Sequence, residues 1–501
     1  MLTKCPGDQI AVPSRDMSLI NLLLAALATS ISGVDSPAPT APPNVVIIYV
    51  DDMGWADVEC YGGTHVKTPH LNQMAADGRM FSDFYVAQPV CSASRIAMLT
   101  GCYPNRVGIA GALGPWSKNG IHDDETTIAE MLKAKGYATA AFGKWHLGFQ
   151  EQFLPTNHGF DEYSGIPYSN DMWPLHPDLM KLNEATRKRR AGYPNLVVYE
   201  DTKIVDPVVT PDDQQSFTTD FTERAVDFID RHANEPFFVY LAHPMPHVPL
   251  YVGSDRDGAT GLGIYADVIG EIDWSVGQVM DTLQRHDLTD NTLVIFASDN
   301  GPWLSYGDHA GQTGGLREGK GTTWEGGVRV PCIMQWPGVI PAETVCGDPM
   351  MTIDLLPTIA EFTGGDLPAS KIDGRSAAGI VRGDVDATSP QEAYFFYYHN
   401  NHLEAMRSGS WKLHFPHQYR TMNGRPPGRN GLPKPYQQAM TGLELYDLRD
   451  DPNETTDVAG ENPDVVASLM AMADAMRSEL GDALTNVKGI ANRQPGRIDT
   501  P

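Results

Sequence analysis

The feature that most constrains the fold is an apolar run that ends in two acidic residues. Asn44–Val50 reads NVVIIYV, a continuous stretch rich in β-branched side chains, and Asp51 and Asp52 follow it directly. A run of this kind is typical of a strand buried on both faces, as in a parallel sheet covered by helices. The fold must therefore place two carboxylates at the carboxyl end of a buried strand.

Further apolar strands alternate with helical patterns along the chain. Strands are predicted at 137–143, 236–242 and 292–297, and helices at 126–135, 218–232, 264–286 and 351–362. Strands that alternate with helices indicate a layered α/β architecture. We therefore predict an α/β fold with a large mixed, mostly parallel sheet flanked by helices.

The pattern changes after residue 382. Short strands are predicted at 394–398, 405–408, 411–415 and 443–447, a long loop at 418–438, and a helix at 464–484. Strands followed by a helix favour a smaller C-terminal α+β subdomain of antiparallel strands and one helix. The predicted boundaries are 44–382 for the main domain, 383–487 for the subdomain and 488–501 for a polar tail.

The N-terminus has the features of a secretory signal. Residues 19–31 form an apolar run of 13 residues, which is too short to span a bilayer. Lys4 and Arg15 precede it and small residues follow it. A buried core helix is the alternative, but four prolines separate the run from the first strand. We predict a signal peptide at 1–33, a flexible proline-rich start at 34–43, and a secreted or periplasmic protein with no membrane span.

Charge and cysteine content limit the partners. The chain of 501 residues has 37 Lys and Arg against 63 Asp and Glu, a net charge of −26, which would repel nucleic acid and anionic membranes. An anionic substrate would need a local group of cations or a metal. Six cysteines are too few for a disulfide scaffold of this size. Cys332 and Cys346 could pair or remain buried thiols.

Two predicted strands end in paired oxygen ligands. Asp51 and Asp52 follow the first strand, and Asp299 and Asn300 follow the strand at 292–297. Each pair alone is more often a turn than a metal site. Together, at one edge of a parallel sheet, carboxylate and amide oxygens suit a hard divalent cation such as Ca²⁺ or Mg²⁺.

The segment 90–101, VCSASRIAMLTG, carries the most specific motif. Cys91-Ser92-Ala93-Ser94-Arg95 with the following LTG resembles the signature of type I sulfatases, which belong to the alkaline-phosphatase-like superfamily. In that family the cysteine is oxidised to formylglycine (3-oxoalanine), the nucleophile of sulfate-ester hydrolysis. Ala93 stands where the usual pattern has proline. This departure leaves open which formylglycine-generating maturation enzyme acts on the chain.

Four other segments resemble the same family, and the resemblance extends over 44–484. They are FGKWHLG at 142–148, GIPYS at 165–169, PHVPL at 246–250 and LREGKGTTWEGG at 316–327. The resemblance implies that 44–382 is the catalytic sulfatase domain. It implies metal ligands Asp51, Asp52, Asp299, Asn300 and the modified Cys91, with calcium as the usual ion and Mg²⁺ as the alternative. It implies a sulfate pocket of Arg95, Lys144, His146, Ser169, His247 and Lys320.

The chemistry of sulfate esters suggests roles for the pocket residues. His146 is assigned as the general base that releases sulfate, and His247, with Lys320 nearby, as the donor of a proton to the leaving group. Lys144, Arg95 and the metal would neutralise sulfate oxygens. The predicted substrate contacts are Ser169, Lys144, His247 and Lys320. His243 ranks behind these residues, and His399 and His402 belong either to the pocket or to a surface loop.

The resemblance implies hydrolysis of sulfate monoesters through a formylglycine-sulfate intermediate. The expected substrate is a sulfated carbohydrate, glycolipid or aryl sulfate. One alternative is phosphodiester or phosphonate monoester hydrolysis on the same scaffold, and another is a non-catalytic carbohydrate-binding relative. The sequence leaves the physiological substrate and the oligomeric state open.

Overall fold

The structure is a computed structural model that describes residues 41–177 and 181–498. The predicted signal peptide and nearly all of the proline-rich start lie outside the described residues. Within the described part of the chain, no helix is both long enough and apolar enough to cross a membrane. Residues from Ala41 onward belong to one compact unit.

The elements are numbered in chain order. The strands are β1 (Asn44–Val50), β2 (Arg79–Phe81), β3 (Phe84–Tyr85), β4 (Asn119–Gly120), β5 (Ala138–Lys144), β6 (Glu162–Ile166), β7 (Val198–Glu200), β8 (Lys203–Asp206), β9 (Phe237–Ala242), β10 (Thr292–Ser298), β11 (Cys332–Gln335), β12 (Thr344–Cys346), β13 (Met350–Met351), β14 (Tyr394–Tyr398), β15 (His402–Ser408), β16 (Trp411–His414), β17 (His417–Thr421), β18 (Gln437–Thr441), β19 (Glu444–Asp447), β20 (Gly481–Asp482), β21 (Val487–Lys488) and β22 (Gly496–Arg497). The helices are α1 (Pro69–Ala76), α2 (Cys91–Thr100), α3 (Ile128–Lys133), α4 (Glu184–Ala191), α5 (Pro211–Arg231), α6 (Ile264–Arg285), α7 (Glu325–Val328), α8 (Leu355–Thr363), α9 (Ala378–Arg382) and α10 (Pro463–Leu480).

The main sheet confirms the predicted fold class. Its ten strands lie in the order β12-β2-β11-β10-β1-β9-β5-β6-β7-β8. The central strands β10, β1, β9, β5 and β6 are mutually parallel, and antiparallel pairs flank them on both sides. The carboxyl ends of the five central strands therefore meet at one edge, where ligands bind in open α/β sheets.

Strand β1 is buried on both faces, as its apolar run predicts. Val45, Ile47 and Tyr49 pack into one hydrophobic core. Val46, Ile48 and Val50 pack into a second core on the opposite face of the sheet. Because successive side chains of a strand point to opposite faces, a continuous apolar run is needed to fill both cores.

Helix α5 begins earlier than its apolar pattern indicates. It starts at Pro211 rather than at residue 218, since Thr210 and Asp213 form a reciprocal capping box and Pro211 occupies the first turn. Proline and a capping box are strong local start signals. The extra turns extend the face that packs against the sheet.

The smaller subdomain is the predicted α+β unit. Its antiparallel sheet has the order β14-β15-β16-β19, and α10 follows it in the chain. The predicted loop at 418–438 differs from the structure at both ends, where β17 and β18 pair as antiparallel strands. Cross-strand pairing between residues about 20 apart leaves no local periodicity that would reveal it.

Residues 488–498, the part of the predicted polar tail that the structure describes, contact the main domain. Strand β22 pairs with β4 of the main domain. Arg493 donates from Nε to Glu125 Oε1 at 2.6 Å. Polar composition suggested a solvated end, but here the polar groups form ion pairs with the main domain. Cys332 and Cys346 are both buried free thiols.

A buried ion cluster joins the two parts of the fold. Lys412 of β16 has no exposed side-chain surface and lies 2.8 Å from Glu325 and 3.1 Å from Glu454. His414 Nε2 lies 2.7 Å from the same Glu454 oxygen. Glu325 begins α7 of the main domain, so the cluster links the small sheet to the segment that leads into this helix.

Replacement of Lys412 should destabilise the fold strongly. Lys412→Met would leave two buried carboxylates without their shared cation, and loss of one partner of a buried pair costs about 3–5 kcal/mol. We expect a decrease of that size in the free energy of unfolding measured by urea titration. Lys188→Met is the matched control, since Lys188 is exposed and its pair with Glu184 contributes only about 0.3–0.5 kcal/mol. A decrease below about 1 kcal/mol for Lys412→Met would contradict this role.

Candidate active site

The site is assembled at the carboxyl ends of the parallel strands. Each central strand ends in, or leads directly into, a polar side chain that faces this edge. These are Asp51 and Asp52 after β1, Lys144 at the end of β5, Ser169 after β6, His247 after β9, and Asp299 and Asn300 after β10. All of them are buried. Parallel pairing, rather than nearness in the chain, brings them together.

Cys91 lies at the centre of this arrangement as the first residue of α2. Its Sγ is 3.4 Å from Asp51 Oδ1 and 3.5 Å from Lys320 Nζ. Burial and the charge of Asp51 raise the pKa of the Cys91 thiol well above its usual range. The unmodified side chain therefore remains a neutral thiol and a weak nucleophile.

Arg95 lies one helical turn after Cys91 and so faces the same side of α2. Its Nε and Nη2 donate to Asp299 Oδ2 at 3.0 and 2.8 Å, and its Nη1 donates to the Lys144 carbonyl at 3.1 Å. Tyr240 of β9 lies 3.3 Å from the same Nη1. The guanidinium is thus held rigidly beneath the site.

The two lysines pair with the first-strand carboxylates. Lys144 Nζ donates to Asp51 Oδ2, and Lys320 Nζ donates to Asp52 Oδ1 at 2.5 Å. With Asp299 and Arg95, the site contains three carboxylates and three fixed cations. An anionic ester would add a negative charge to this balanced set, so an additional cation would favour its binding.

Although the charges balance in number, burial and neighbouring charges shift the pKa values of the carboxylates in opposite directions. Burial opposes ionisation of Asp51, but the nearby charges of Lys144, His247, Arg95 and Lys320 hold its pKa well below the usual range. Burial and the charge of Asp51 raise the pKa of Asp299 to about 7 despite its contact with Arg95. Mutual repulsion between the carboxylates therefore persists, and a divalent cation would relieve it.

The donor set fits a hard metal ion. Ligand atoms of Asp51, Asp52, Cys91 and His247 all lie within 4.8 Å of one another. Asp52 Oδ2 and Asn300 Oδ1 are buried without a hydrogen-bond partner, and such oxygens are unfavourable unless a cation or donor approaches them. Asn300 Nδ2 donates to Asp52 Oδ1 at 2.7 Å, which orients both oxygens. Asp299 and Asn300, which the sequence predicts as ligands, both contact Asp52, and His247, which it does not predict as a ligand, belongs to the cluster.

His146 lies beside Lys144, with a defined orientation. Its Nε2 is 2.8 Å from the Leu113 carbonyl, which places the ring proton on Nε2. Its Nδ1 is buried and has no hydrogen-bond partner. Burial and the charges of Lys144 and Arg95 hold the pKa of His146 well below its usual range. The ring is therefore a neutral imidazole with a free lone pair. Its backbone φ of 64° costs about 1–2 kcal/mol and is typical of functional sites.

His247 is held between the strand end and the aromatic wall of the site. Its Nδ1 donates to the Val248 carbonyl at 2.7 Å, and its Nε2 lies 3.6 Å from Asp52 Oδ2. Ser169 Oγ is 3.5 Å from the ring. Trp303 packs edge-on against the ring at 5.6 Å. Burial and the charge of Lys320 lower the pKa of His247.

Sequence reasoning missed two residues of the site. Burial disfavours the Asp171 carboxylate, but His247, Arg190 and Lys320 lower its pKa to about 2. Trp303 covers Lys320 Nζ with its ring at 4.8 Å. Asp171 lies two residues after Ser169 and Trp303 three residues after Asn300, so following each motif further along its loop could have found them.

The small subdomain holds the segment that carries Lys320. Arg420 donates from Nε and Nη2 to the Lys320 carbonyl, and the Nε contact is 2.9 Å. Trp324 stacks on His414 with ring centroids 3.8 Å apart. Thr323 Oγ1 donates to Glu404 Oε2 at 3.2 Å. The position of Lys320 therefore depends on packing between residues about 100 positions apart.

The three other histidines named from the sequence have partners outside the cluster of Asp51, Asp52, Cys91 and His247. His243 Nε2 is 2.9 Å from Ser275 Oγ of α6. The rings of His399 and His402 are 5.6 Å apart, and His402 Nδ1 is 3.9 Å from Glu404 Oε1. These contacts place His243 behind the site, and His399 and His402 at the start of the small sheet.

The fold and the site define a hydrolase of anionic esters, with a buried cysteine at a helix N-terminus among carboxylates and cations. The chain belongs to the sulfatase family, since the family model described as "Sulfatase" matches residues 43–365. A second model, "C-terminal region of aryl-sulfatase", matches 389–495. The two models together match most of the main domain and of the small subdomain.

Individual relatives agree with this assignment. The chain is 36% identical to arylsulfatase A of Homo sapiens over 480 residues, covering 92% of each chain. It is 35% identical to N-acetylgalactosamine-6-sulfatase of Canis lupus familiaris over 455 residues, covering 85% of this chain and 84% of the relative. The crystal structure of the PsFucS1 sulfatase from Pseudoalteromonas sp. superposes with a TM-score of 0.77 at 27% identity, covering 87% of this chain and 90% of that one. The protein is a sulfatase enzyme.

The buried oxygens should bind one divalent ion per chain. Asp52→Ala removes an unpartnered oxygen and the anchor of Lys320, so we expect it to weaken binding more than about 100-fold, since even groups that only support metal ligands contribute about 10–100-fold. Elemental analysis after dialysis, with calorimetric titration of Ca²⁺ and Mg²⁺, measures stoichiometry and affinity. Asp384→Ala, which changes a surface carboxylate, is the control. Unchanged metal content in Asp52→Ala would refute the site.

Proposed function

We propose that the chain hydrolyses sulfate monoesters of sugars, lipids or phenols with formylglycine at position 91 and Ca²⁺ at the adjoining oxygen cluster. The observation that carries the proposal is the position of Cys91. A buried, neutral side chain between Asp51 and Lys320 is unsuited to act as a thiolate, yet it lies where an attacking group would meet a bound sulfate.

The absent groups would supply the attacking atom and the extra positive charge. Formylglycine, as its hydrate, would provide a hydroxyl nucleophile, and the cation would lower the energy of the negative charge that develops on sulfate. Oxygen-only ligation and a crowded set of carboxylates favour Ca²⁺ over zinc. The residues that would hold the ion are Asp51, Asp52, Asp299 and Asn300, with position 91.

The fixed cations bind and orient the sulfate group. Lys144 and Lys320 approach position 91 from opposite carboxylates, Asp51 and Asp52, so a sulfate between them would meet both ammonium groups. Arg95 contributes its charge from below and keeps Asp299 in place. Preorganised charges in a site without water stabilise a transition state without the cost of reorientation.

In the proposed reaction, His247 protonates the leaving group. The Val248 carbonyl holds the proton on Nδ1, so a second proton on Nε2 would point toward the space beside Asp52 and Ser169. Burial and Lys320 favour the neutral ring, whereas an incoming anionic ester would favour the protonated one. Lys320, which lies near the same wall, would assist as a second donor.

In the proposed reaction, His146 acts as the proton acceptor. Its Nε2 proton is committed to the Leu113 carbonyl, and its Nδ1 retains a lone pair within the buried site. A neutral, oriented imidazole of this kind is suited to general-base catalysis. In the proposed reaction it removes the proton of the second hydroxyl at position 91, which allows sulfate to leave.

Export of the chain and modification of Cys91 would precede activity. We propose that residues 1–33 direct the chain out of the cytoplasm and that a formylglycine-generating enzyme modifies Cys91. Ala93 stands where the family pattern has proline, so several maturation systems remain candidates for this step. Phosphodiester or phosphonate monoester hydrolysis is the alternative that the substrate panel below would detect.

Activity should require modification of Cys91 and should favour sulfate esters. We expect the peptide containing position 91 to be lighter by about 18 Da than its cysteine form, since oxygen replaces sulfur and two hydrogens are lost. Modified protein should hydrolyse aryl and sugar sulfates faster than the matched phosphate and phosphonate esters. Mass spectrometry and kcat/KM over this panel are the measurements.

Cys91→Ala and Cys332→Ala serve as test and control for this prediction, since both remove a buried thiol. We expect only Cys91→Ala to lose activity, by at least about 10³-fold. Full activity in protein that holds unmodified Cys91 would overturn the mechanism. A preference for phosphonate or phosphate diesters would overturn the proposed substrate class.

Replacement of the two histidines should block different steps of the reaction. His146→Ala should release about one equivalent of alcohol per chain in a burst and then stop, because its proton transfer is needed only after the alcohol has left. His247→Ala should slow sugar sulfates by about 10²–10⁴-fold and aryl sulfates much less, because a phenolate leaves without protonation. Stopped-flow bursts and kcat for both substrate types separate these cases, with the surface variant His286→Ala as the control. No burst in His146→Ala together with equal losses for both substrates in His247→Ala would contradict these roles.

A further inference from the structure

Two loops on either side of the site meet through an aromatic pair. Trp116 and Tyr193 pack with ring centroids 4.8 Å apart. Trp116 nevertheless remains 57% exposed, so much of its ring is open to solvent. A single exposed apolar side chain is common on protein surfaces, so the position of this ring beside the site, rather than its exposure, makes it a candidate for binding.

Each loop is anchored to the catalytic residues. The loop of Trp116 contacts them through Leu113, whose amide donates a hydrogen bond to Ser92 Oγ at 2.9 Å and whose carbonyl orients His146. Three residues span at most about 10–11 Å, so Trp116 lies within that distance of the Leu113 backbone. A sugar joined to one held at position 91 could therefore reach the ring.

The other loop follows helix α4, whose last turn contains the buried Arg190. Tyr193 follows Arg190, and its amide donates to the Arg190 carbonyl at 3.0 Å. Arg190 is only 2% exposed, and it contacts Asp171 Oδ2 at 3.4 Å and Tyr306 OH at 3.5 Å. Tyr306 packs on Trp303, the residue that covers Lys320, so Arg190 adjoins the catalytic wall.

The contacts of Arg190 leave it under-satisfied. Its bonds to the Asp171 carbonyl and carboxylate, at 3.3 and 3.4 Å, are longer than the 2.7–2.9 Å typical of charged pairs. Its Nε is buried and has no hydrogen-bond partner. A buried guanidinium with a spare donor is costly without a second acceptor. The chain has a net charge of −26. A buried arginine whose Nε has no partner therefore indicates a site for an anionic ligand.

We propose that Trp116, Tyr193 and Arg190 form a subsite for the sugar adjoining the sulfated one, and that this sugar carries an anionic group. The inference rests on the proposed sulfatase function and narrows its substrate to a sulfated oligosaccharide with a second negative charge. The open face of Trp116 stacks on the C–H face of the adjoining ring, since the face of an aromatic ring is negative and attracts C–H groups. Arg190 binds the carboxylate or sulfate of that ring, and Asp171 accepts hydrogen bonds from its hydroxyls.

The test compares two disaccharides that differ only in the group that would bind at the subsite with an aryl sulfate that has no second sugar. They are a disaccharide sulfated on one sugar and carrying a hexuronate carboxylate on the other, its carboxyl-reduced form, and 4-nitrophenyl sulfate. We expect the protein to prefer the carboxylate form over the reduced form by at least about tenfold in kcat/KM. Arg190→Gln should remove this preference. Trp116→Ala should lower kcat/KM for both disaccharides by about tenfold relative to the aryl sulfate.

Controls separate a binding role from a structural one. Arg224→Gln makes the same change in charge at an exposed arginine of α5 and should leave the preference intact. Arg190→Lys keeps the charge and should retain part of the preference, whereas a purely structural role would reduce all three substrates equally. Equal loss on all three substrates, or an undiminished preference in Arg190→Gln, would overturn the subsite.

A binding measurement separates failure of the subsite from failure of the proposed reaction. Calorimetric titration of Cys91→Ala with the two disaccharides requires no turnover. Tighter binding of the carboxylate form, lost in Cys91→Ala/Arg190→Gln, would support the subsite even if no sulfate ester were hydrolysed. Equal binding of both forms by Cys91→Ala would refute the subsite while the hydrolysis of aryl sulfate remained as evidence for the reaction.

Discussion

The structure depends on the mutual compensation of buried charges at one edge of the main sheet. Three carboxylates and three cations lie there with almost no exposed surface, and none of them would be stable alone. Asp51, Lys144 and Asp299 come from three different parallel strands, and Arg95 comes from the helix that begins at Cys91. The two hydrophobic cores on either side of β1 provide the rigid support that keeps these groups in register. The close packing of buried charges raises the free energy of the folded state, and it also favours binding of a metal ion and an anionic ester.

The small subdomain is part of this site rather than an appendage. Arg420 binds the Lys320 carbonyl, and Trp324 stacks on His414 within the same contact region. The buried cluster of Lys412, Glu325 and Glu454 fixes the helix that follows Lys320. A change in the packing of the small sheet would therefore alter the position of Lys320 directly. The match of one family model to each part of the chain agrees with this joint construction.

The accuracy of sequence-based prediction varied with how local the determining interactions are. Strand β1 and helix α6 were predicted almost to the residue, because their apolar patterns are long and uninterrupted. The β17–β18 hairpin was missed, since its strands are held by pairing across a long insertion. The end of the chain was predicted as a polar tail, but Arg493 pairs with Glu125 far away in the sequence. Asp171 and Trp303 were not predicted as site residues, because neither belongs to a recognisable sequence motif.

The fold class, the sulfatase signature around Cys91 and the residue types of the site were evident from the sequence, because each depends on local periodicity or on a short contiguous motif. Three-dimensional packing was needed to establish which nitrogen of His146 carries the proton, which carboxylate each lysine binds and how Trp116 and Tyr193 meet beside the site. Those features depend on distances between side chains that are remote in the chain. Burial then sets their energies, since removal of water strengthens every charge interaction and makes an unpartnered polar atom costly.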